Sequence, residues 1–355
     1  MYSVYQHWDK LKTCIVGRSY PPEFYSYITN PRVRNVMERI AIETEEDYQK
    51  LISLLENFNV NIMRPELKDS IEYYKTFNGT FCAPPMTPRD YSGMFGNDFY
   101  MNEYGDFYNE IINLIKLKGN QCFLNENINT AMTTRIGKDL YIGSPPPKIL
   151  WNIINNNKHD IYVPSKFLNN YENIAKNYIS TTYKKFNSKY RTNFVDTQGH
   201  SDGCFCPVVP GLIISLYDIQ EYEKTFPGWE VVYLPNQSWA AVKDWSKVKE
   251  KNHGKWWVPG EELNDEFTEF VENWLGHWVG YVEESVFDVN MLVIDKKNVV
   301  CNNYNKSVFD AFERYGITPH VINFRHRYFW DGGLHCITCD LDREGIMEDY
   351  FPERG

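Results

Sequence analysis

No apolar run in the 355-residue chain approaches the roughly 18–20 residues that a membrane span needs, so a membrane partner is not expected. The opening stretch, MYSVYQHWDKLKTC, has neither the basic head nor the apolar segment of a secretory signal, which makes the cytoplasm the expected compartment. Positive charge is scarce: 37 Lys and Arg stand against 47 Asp and Glu, a net charge of −10. Without a basic patch nothing displaces counterions from phosphates, and nucleic acid is excluded as a partner. Eight cysteines are too few for a disulfide framework in a chain of this length, and a cytosol would keep them reduced. Low-complexity segments and flexible linkers are also missing. Residues 1–355 therefore read as a single domain.

What the chain does have is a series of short hairpin units, each with apolar or alternating runs around a turn signal. They span Pro88–Met101 (turn at Gly96-Asn97), Thr133–Gly143 (Gly137-Lys138), Cys204–Leu216 (Pro210-Gly211) and Val286–Asn302 (Asp295–Asn298). Further strand-like runs lie at Leu11–Tyr20 and His335–Asp342. Three- and four-residue apolar spacing predicts helices over Glu45–Phe58, Phe107–Lys118, Lys166–Phe186, Asn264–Trp274 and Ser307–Tyr315. Periodicity alone allows either a ring of small strand–helix units or an open α/β sheet. Residues 151–192, rich in Asn, Lys and Tyr, read as a polar helical insertion. Trp239–Trp278 holds six of the ten tryptophans and reads either as a lid over a site or as ordinary packing.

Four clusters carry possible chemistry: GHSDGCFC (His200, Asp202, Cys204, Cys206), GGLHCITCD (His335, Cys336, Cys339, Asp340), PPMTPRD (Arg89, Asp90) and NINTAMTTRIGKD (Asn129, Arg135, Asp139). Cys336-x-x-Cys339 with Cys204, Cys206 and His200 has the residue types of a zinc site. However, both cysteine pairs lie in strand-like runs, where alternate side chains face opposite ways. A nucleophile reading fits better. Cys336 follows Gly332-Gly333, which permit a sharp turn and the close approach of a ligand. His200 and Asp202 supply the base and the orienting group that a thiolate needs.

Several co-linear motifs sharpen this. WDKLKTCIVGR (Trp8–Arg18), PRD (Pro88–Asp90), the GND turn (Gly96–Asp98), RIGKDLY (Arg135–Tyr141), HSDGCF (His200–Phe205), VNMLVIDKKNVV (Val289–Val300) and GGLHCITCD occur in one order along nearly the whole chain. In these the chain resembles the family of glycine amidinotransferase and inosamine-phosphate amidinotransferase. The resemblance implies a five-bladed α/β propeller with pseudo-fivefold symmetry. It implies Cys336 as nucleophile, His200 as general acid/base, and Asp90 and Asp202 as the carboxylates that grip a guanidinium, with Arg89 beside them among the substrate-binding residues. The expected partners are a guanidino donor, by family default arginine, and an amine acceptor; no cofactor or metal is required, and a homodimer is left open. A hydrolase of deiminase or dihydrolase type, or a non-catalytic guanidino-binding protein, is the alternative on the same fold.

The chain also departs from the family pattern. The aspartate that orients the histidine falls on Asn129, which keeps the hydrogen bond but loses the charge. An arginine that holds an amino-acid carboxylate falls on Ile219, a serine with the same task falls near Glu284, and a methionine that narrows the acceptor pocket falls on Gly199. A shell that no longer recognises a carboxylate in the family's usual place is expected.

Overall fold

In the computed structural model, residues 1–69, 71–75, 81–103, 105–156, 163–216, 222–234, 256–279 and 288–354 are described. Fifteen strands among them form five three-stranded sheets. β1 (Lys10–Val16) and β2 (Asn61–Met63) belong to the first. β3 (Ser92–Phe95), β4 (Asp98–Met101) and β5 (Gln121–Leu124) make the second, and β6 (Thr133–Ile136), β7 (Asp139–Gly143) and β8 (Arg191–Val195) the third. β9 (Phe205–Val209), β10 (Leu212–Ser215) and β11 (Glu230–Tyr233) make the fourth, and β12 (Leu292–Asp295), β13 (Asn298–Cys301) and β14 (Thr318–Val321) the fifth. β15 (Thr338–Glu344) returns to the first sheet and pairs antiparallel with β1, Lys10 opposite Glu344 and Val16 opposite Thr338.

One pattern repeats five times. An antiparallel pair is followed by a helical crossover to a third, parallel strand. Four of the pairs are hairpins with two-residue turns at the expected places, and Gly96, Gly137 and Gly211 take the positive φ that such turns demand. Gly137 has a second constraint: a Cβ there would lie 2.0 Å from the carbonyl oxygen of Glu348. The first two strands of each sheet are largely buried, whereas the crossover strands β2, β5, β11 and β14 are half-exposed outer edges. Burial on both faces explains the unbroken apolar runs FCPVV and LIIS. The fold is a five-bladed α/β propeller, which decides between the ring and the open sheet.

The crossover helix of the first blade runs Pro31–Asn57, twice the length expected. Asn30 caps it by accepting the amide N–H of Arg32 at 2.9 Å, and Pro31 occupies its first turn. Asn109–Leu117, Asp265–Trp274 and Lys306–Tyr315 match the expected helices within two residues. The segment expected as an insertion is the third blade's crossover: helices Pro147–Ile154, Ser165–Leu168 and Tyr171–Thr182 carry the chain from β7 to β8. In the tryptophan-rich span, Trp256 packs on Phe267 and Phe329, and Trp278 on Tyr20 and Trp330. Residues 239–255 of that span lie outside the described residues.

At the hub, the buried Asp340 accepts hydrogen bonds from Arg89 (2.6 Å), Arg135 (2.8 and 3.0 Å) and Arg343 (2.6 Å). Arg135 also donates to the carbonyl of Met94, and Arg343 to those of Asp9 (2.7 Å) and Val293 (2.9 Å). Burial alone would raise the Asp340 carboxyl; the three guanidiniums outweigh it and hold the group well below the usual carboxylate range.

Candidate active site

Each blade presents one polar residue two to four positions ahead of the strand by which its antiparallel pair begins. These are Asp90 before β3, Asn129 before β6, Asp202 before β9, Asn290 before β12 and Cys336 before β15. The five loops are tied into a closed circuit of hydrogen bonds. Arg89 N donates to Cys336 O (3.3 Å), and Thr130 Oγ1 to Arg89 O (2.7 Å). Ser201 Oγ donates to Met132 O (2.6 Å), and Asn290 Nδ2 to Asp202 O (3.2 Å). Asn290 Oδ1 completes the circuit by accepting the amide N–H groups of His335 (2.8 Å) and Cys336 (3.0 Å).

Cys336 is 3% exposed. Its thiol points at Asp202 Oδ2, 3.5 Å away, and Asn290 Nδ2 donates to its sulfur at 3.0 Å. Burial, followed by the charges of Asp202 and Asp90, pushes the thiol well above its ordinary pKa, with only the Asn290 hydrogen bond opposing among the side-chain contacts. Burial would also raise Asp202, but the His335 hydrogen bond (2.7 Å) and the charges of His335, His200 and Arg89 outweigh it, so this carboxylate stays ionised. His335 is pushed down by burial and by Arg89. Its Nδ1–H faces the Asp202 carboxylate, an acceptor that only an N–H can satisfy. Its Nε2 and the second oxygen of Asp202, Oδ1, are buried and have no hydrogen-bond partner among the described residues. That oxygen is an acceptor in place for a planar donor.

His200 lies with its Nδ1 3.7 Å from Asp90 Oδ1. Beside it opens a cavity of about 600 Å³ whose walls include His200, Gly199, Asn129 and Met132. A smaller hollow of about 150 Å³ contains Asp90, Thr87 and Asp331. Asn129 spends its side chain locally: Oδ1 accepts the Ala131 amide at 3.0 Å and so caps the turn Thr130–Met132. Gly199 is open, with nothing nearer than 4.0 Å to a Cβ built there.

Two expectations need correction. Arg89 does not face a substrate: it is 3% exposed, and its guanidinium is committed to Asp340 and to the Thr338 carbonyl at 3.2 Å. Nor do Gly332 and Gly333 make room for a ligand. A Cβ on Gly333 would sit 2.6 Å from Asn290 Oδ1, and one on Gly332 2.7 Å from Thr87, so the glycines admit neighbouring side chains. Ile219 and Glu284 lie outside the described residues. The cysteines of the zinc reading separate: Cys204 Sγ approaches Thr197 O at 3.5 Å, and Cys339 packs against Ser92. Asn290 and His335 were not singled out for roles in advance; the signal for Asn290 is its place at the head of the fifth blade's first strand.

No protein-family model matches the chain. The mitochondrial glycine amidinotransferase of Xenopus laevis is 28% identical over 157 residues, which cover 43% of this chain and 28% of that relative. Among solved structures, an amidinotransferase of the saxitoxin biosynthetic pathway from Microseira wollei superposes with a TM-score of 0.65 at 16% identity, over 99% of both chains. The inosamine-phosphate amidinotransferase from Streptomyces griseus does so with a TM-score of 0.64 at 15% identity, again over 99% of both. The likeness is to amidinotransferases. The two structures carry the fold over 99% of the chain, whereas the sequence matches to glycine amidinotransferases cover 43% to 54% of it in the Xenopus laevis and Danio rerio proteins. The mitochondrial glycine amidinotransferase of Danio rerio is 27% identical over 200 residues, 54% of this chain and 38% of its own length.

Proposed function

We propose that the protein is an amidinotransferase that moves an amidino group from a guanidino donor to an amine through a covalent cysteine adduct. The observation that carries the reading is Cys336 Sγ set 3.5 Å from an ionised, half-satisfied Asp202, in a wall shared with Asp90 and His200. A guanidinium is planar and always charged, and it donates paired hydrogen bonds to carboxylates. Asp202 and Asp90 are suited to hold that charge and to set the central carbon over sulfur. This is catalysis by position and by fixed electrostatics.

In this reading the thiol proton passes to His200 and sulfur attacks the guanidino carbon. The carbon–nitrogen bond to the donor's amine breaks, and His200 returns the proton to the departing nitrogen. The acceptor amine then attacks the amidino-thioether and gives its proton to His200. The carbon–sulfur bond breaks and the thiol is restored. Arginine, the donor implied by the family resemblance, would leave as ornithine. Incubation with arginine and a panel of amines tests this. Ornithine together with a new guanidino product, and an amidino mass increment on Cys336 that Cys336→Ala abolishes, is the expected result. Citrulline would establish hydrolysis instead. Retention by Cys336→Ala of a tenth of the wild-type rate, about 1.4 kcal/mol of barrier, would overturn the nucleophile assignment.

A further inference from the structure

The cavity beside His200 has a composition that selects among amines. Its apolar side is Ile128, Ile149, Ile153 and Ile179, with Pro145 and Pro146. Ile149 and Ile153 belong to the crossover helix Pro147–Ile154 and are 51% and 45% exposed, an unusual position for isoleucine on a helix with little else to cover it. The polar side comes from the loops after β4 and β5, which bring Glu103 and Glu126 with Asn102 and Asn125. None of the described residues lining the cavity is Lys or Arg. Lys185 pairs with Glu126, so Glu126 is compensated, whereas Glu103 is exposed and has no cationic partner among the described residues. Asp90 and Asp202 add further negative charge beyond His200.

From this we infer that the acceptor is an alkyl diamine. One neutral amine reaches His200, the methylenes lie along the isoleucines, and the second, cationic amine is held at the Glu103 rim. The inference rests on the transfer reading above and deepens it. A small amino acid leaves the apolar side of a 600 Å³ space uncovered, and its carboxylate meets no Lys or Arg among the described lining residues but two carboxylates, Glu103 and Glu126. A diamine fills the apolar side and places its charge where a carboxylate already stands. In the transfer step the amine forms the new carbon–nitrogen bond, the carbon–sulfur bond breaks, and the amine's proton goes to His200. The product is a guanidinoalkylamine.

Lysine and 1,5-diaminopentane differ by one carboxylate, which makes them the decisive pair. Isothermal titration of the intact protein should give at least roughly ten-fold tighter binding of the diamine. Glu103→Gln, a change at an exposed position, should weaken the diamine about three- to ten-fold and leave lysine unchanged or improved. Equal or tighter binding of lysine, or no binding of the diamine, would overturn the proposal. Mass spectrometry of the arginine-treated protein separates this from the reading beneath it. An amidino adduct on Cys336 that glycine or lysine discharges faster than the diamine also overturns the diamine assignment, but leaves transfer standing. Tight diamine binding with no adduct sinks transfer and leaves the diamine site.

Discussion

Cys336 sits buried beside Asp202 with Asp90 contributing a second negative charge, so in the empty site its thiol is protonated. A guanidinium entering that site cancels the repulsion that keeps the proton on sulfur. The substrate would thus help to make its own nucleophile. Alkylation of Cys336 by iodoacetamide should be slow at pH 7 and should accelerate several-fold with methylguanidine at non-denaturing concentration. A rate indifferent to methylguanidine would argue against charge coupling. Asn290 gives a sharper test, because its amide makes four separate contacts. Asn290→Asp keeps the acceptor for the two amide N–H groups, removes the donor to sulfur, and adds a carboxylate. Loss of a hydrogen bond to a charged group is worth about 1.5–3 kcal/mol, so turnover should fall roughly ten- to hundred-fold, and melting should fall as well because the same Nδ2 donates to Asp202 O. The onset of alkylation should move to higher pH; an unmoved onset would reduce Asn290 to a structural brace. Sequence assigned no role to Asn290, and it named His335 only as a member of the GGLHCITCD cluster. Asn290 lies inside an apolar strand motif and His335 beside a stronger candidate, and only folding brings their side chains to Asp202 and sulfur. Cys336, His200 and Asp202 stood out in the sequence because their types, in linked motifs, suit one chemistry, and the fold sets Cys336 Sγ 3.5 Å from Asp202 Oδ2.

Asn129 belongs to the scale of a single turn. Its side chain caps Thr130–Met132 and its backbone N–H and carbonyl meet the hydroxyl of Tyr183, so the loop that carries it is held independently of His200. Aspartate accepts the same cap. Asn129→Asp should therefore fold normally while adding a carboxylate to the cavity wall that His200 shares. A nearby carboxylate favours the imidazolium, so the pH optimum of turnover should move upward, and the rate should rise if the missing charge limits it. An unchanged profile would mean that Asp90, 3.7 Å from His200, already supplies that charge. The hairpins were read from sequence down to their turn residues, because a two-residue turn demands a positive φ that glycine marks. The helix over Pro31–Asn57 was read only in its second half. Its first half, PRVRNVMERIAIET, carries charges on its solvent side that dilute the apolar period, while Val33, Met37, Ile40 and Ala41 still face the core. The third crossover was taken for an insertion because its helices bury little beyond Leu150, Phe167, Tyr171, Ala175 and Ile179 and so look polar.

For the molecule as a whole, Asp340 is the group on which guanidiniums of the first blade, the third blade and the Arg89 loop converge. Asp340→Asn leaves three buried guanidiniums with a neutral partner, and breaking a buried pair in this way costs about 3–5 kcal/mol. Thermal or denaturant unfolding should show a loss of that order. The folded pKa of Asp340 lies below its unfolded value, so its contribution is present above roughly pH 4 and is lost as pH falls through the folded value. Acid should consequently destabilise the wild type more steeply below about pH 4 than it does Asp340→Asn; parallel acid curves would place the stabilisation elsewhere. The ring itself was not legible from periodicity, since five units of unequal length hide their repeat; the order of the motifs supplied it. The ring is closed by β15 lying against β1, Lys10 opposite Glu344. Read along the direction of translation, this means that β1 waits for β15, which is made only after the strands of the other four blades. Until then its edge is bare, and Cys336, two residues ahead of β15, has no Asn290 amide to lean on. A nascent chain that has not yet delivered β15 can complete four blades, but the surroundings of Cys336 are assembled only with the strand that shuts the circle.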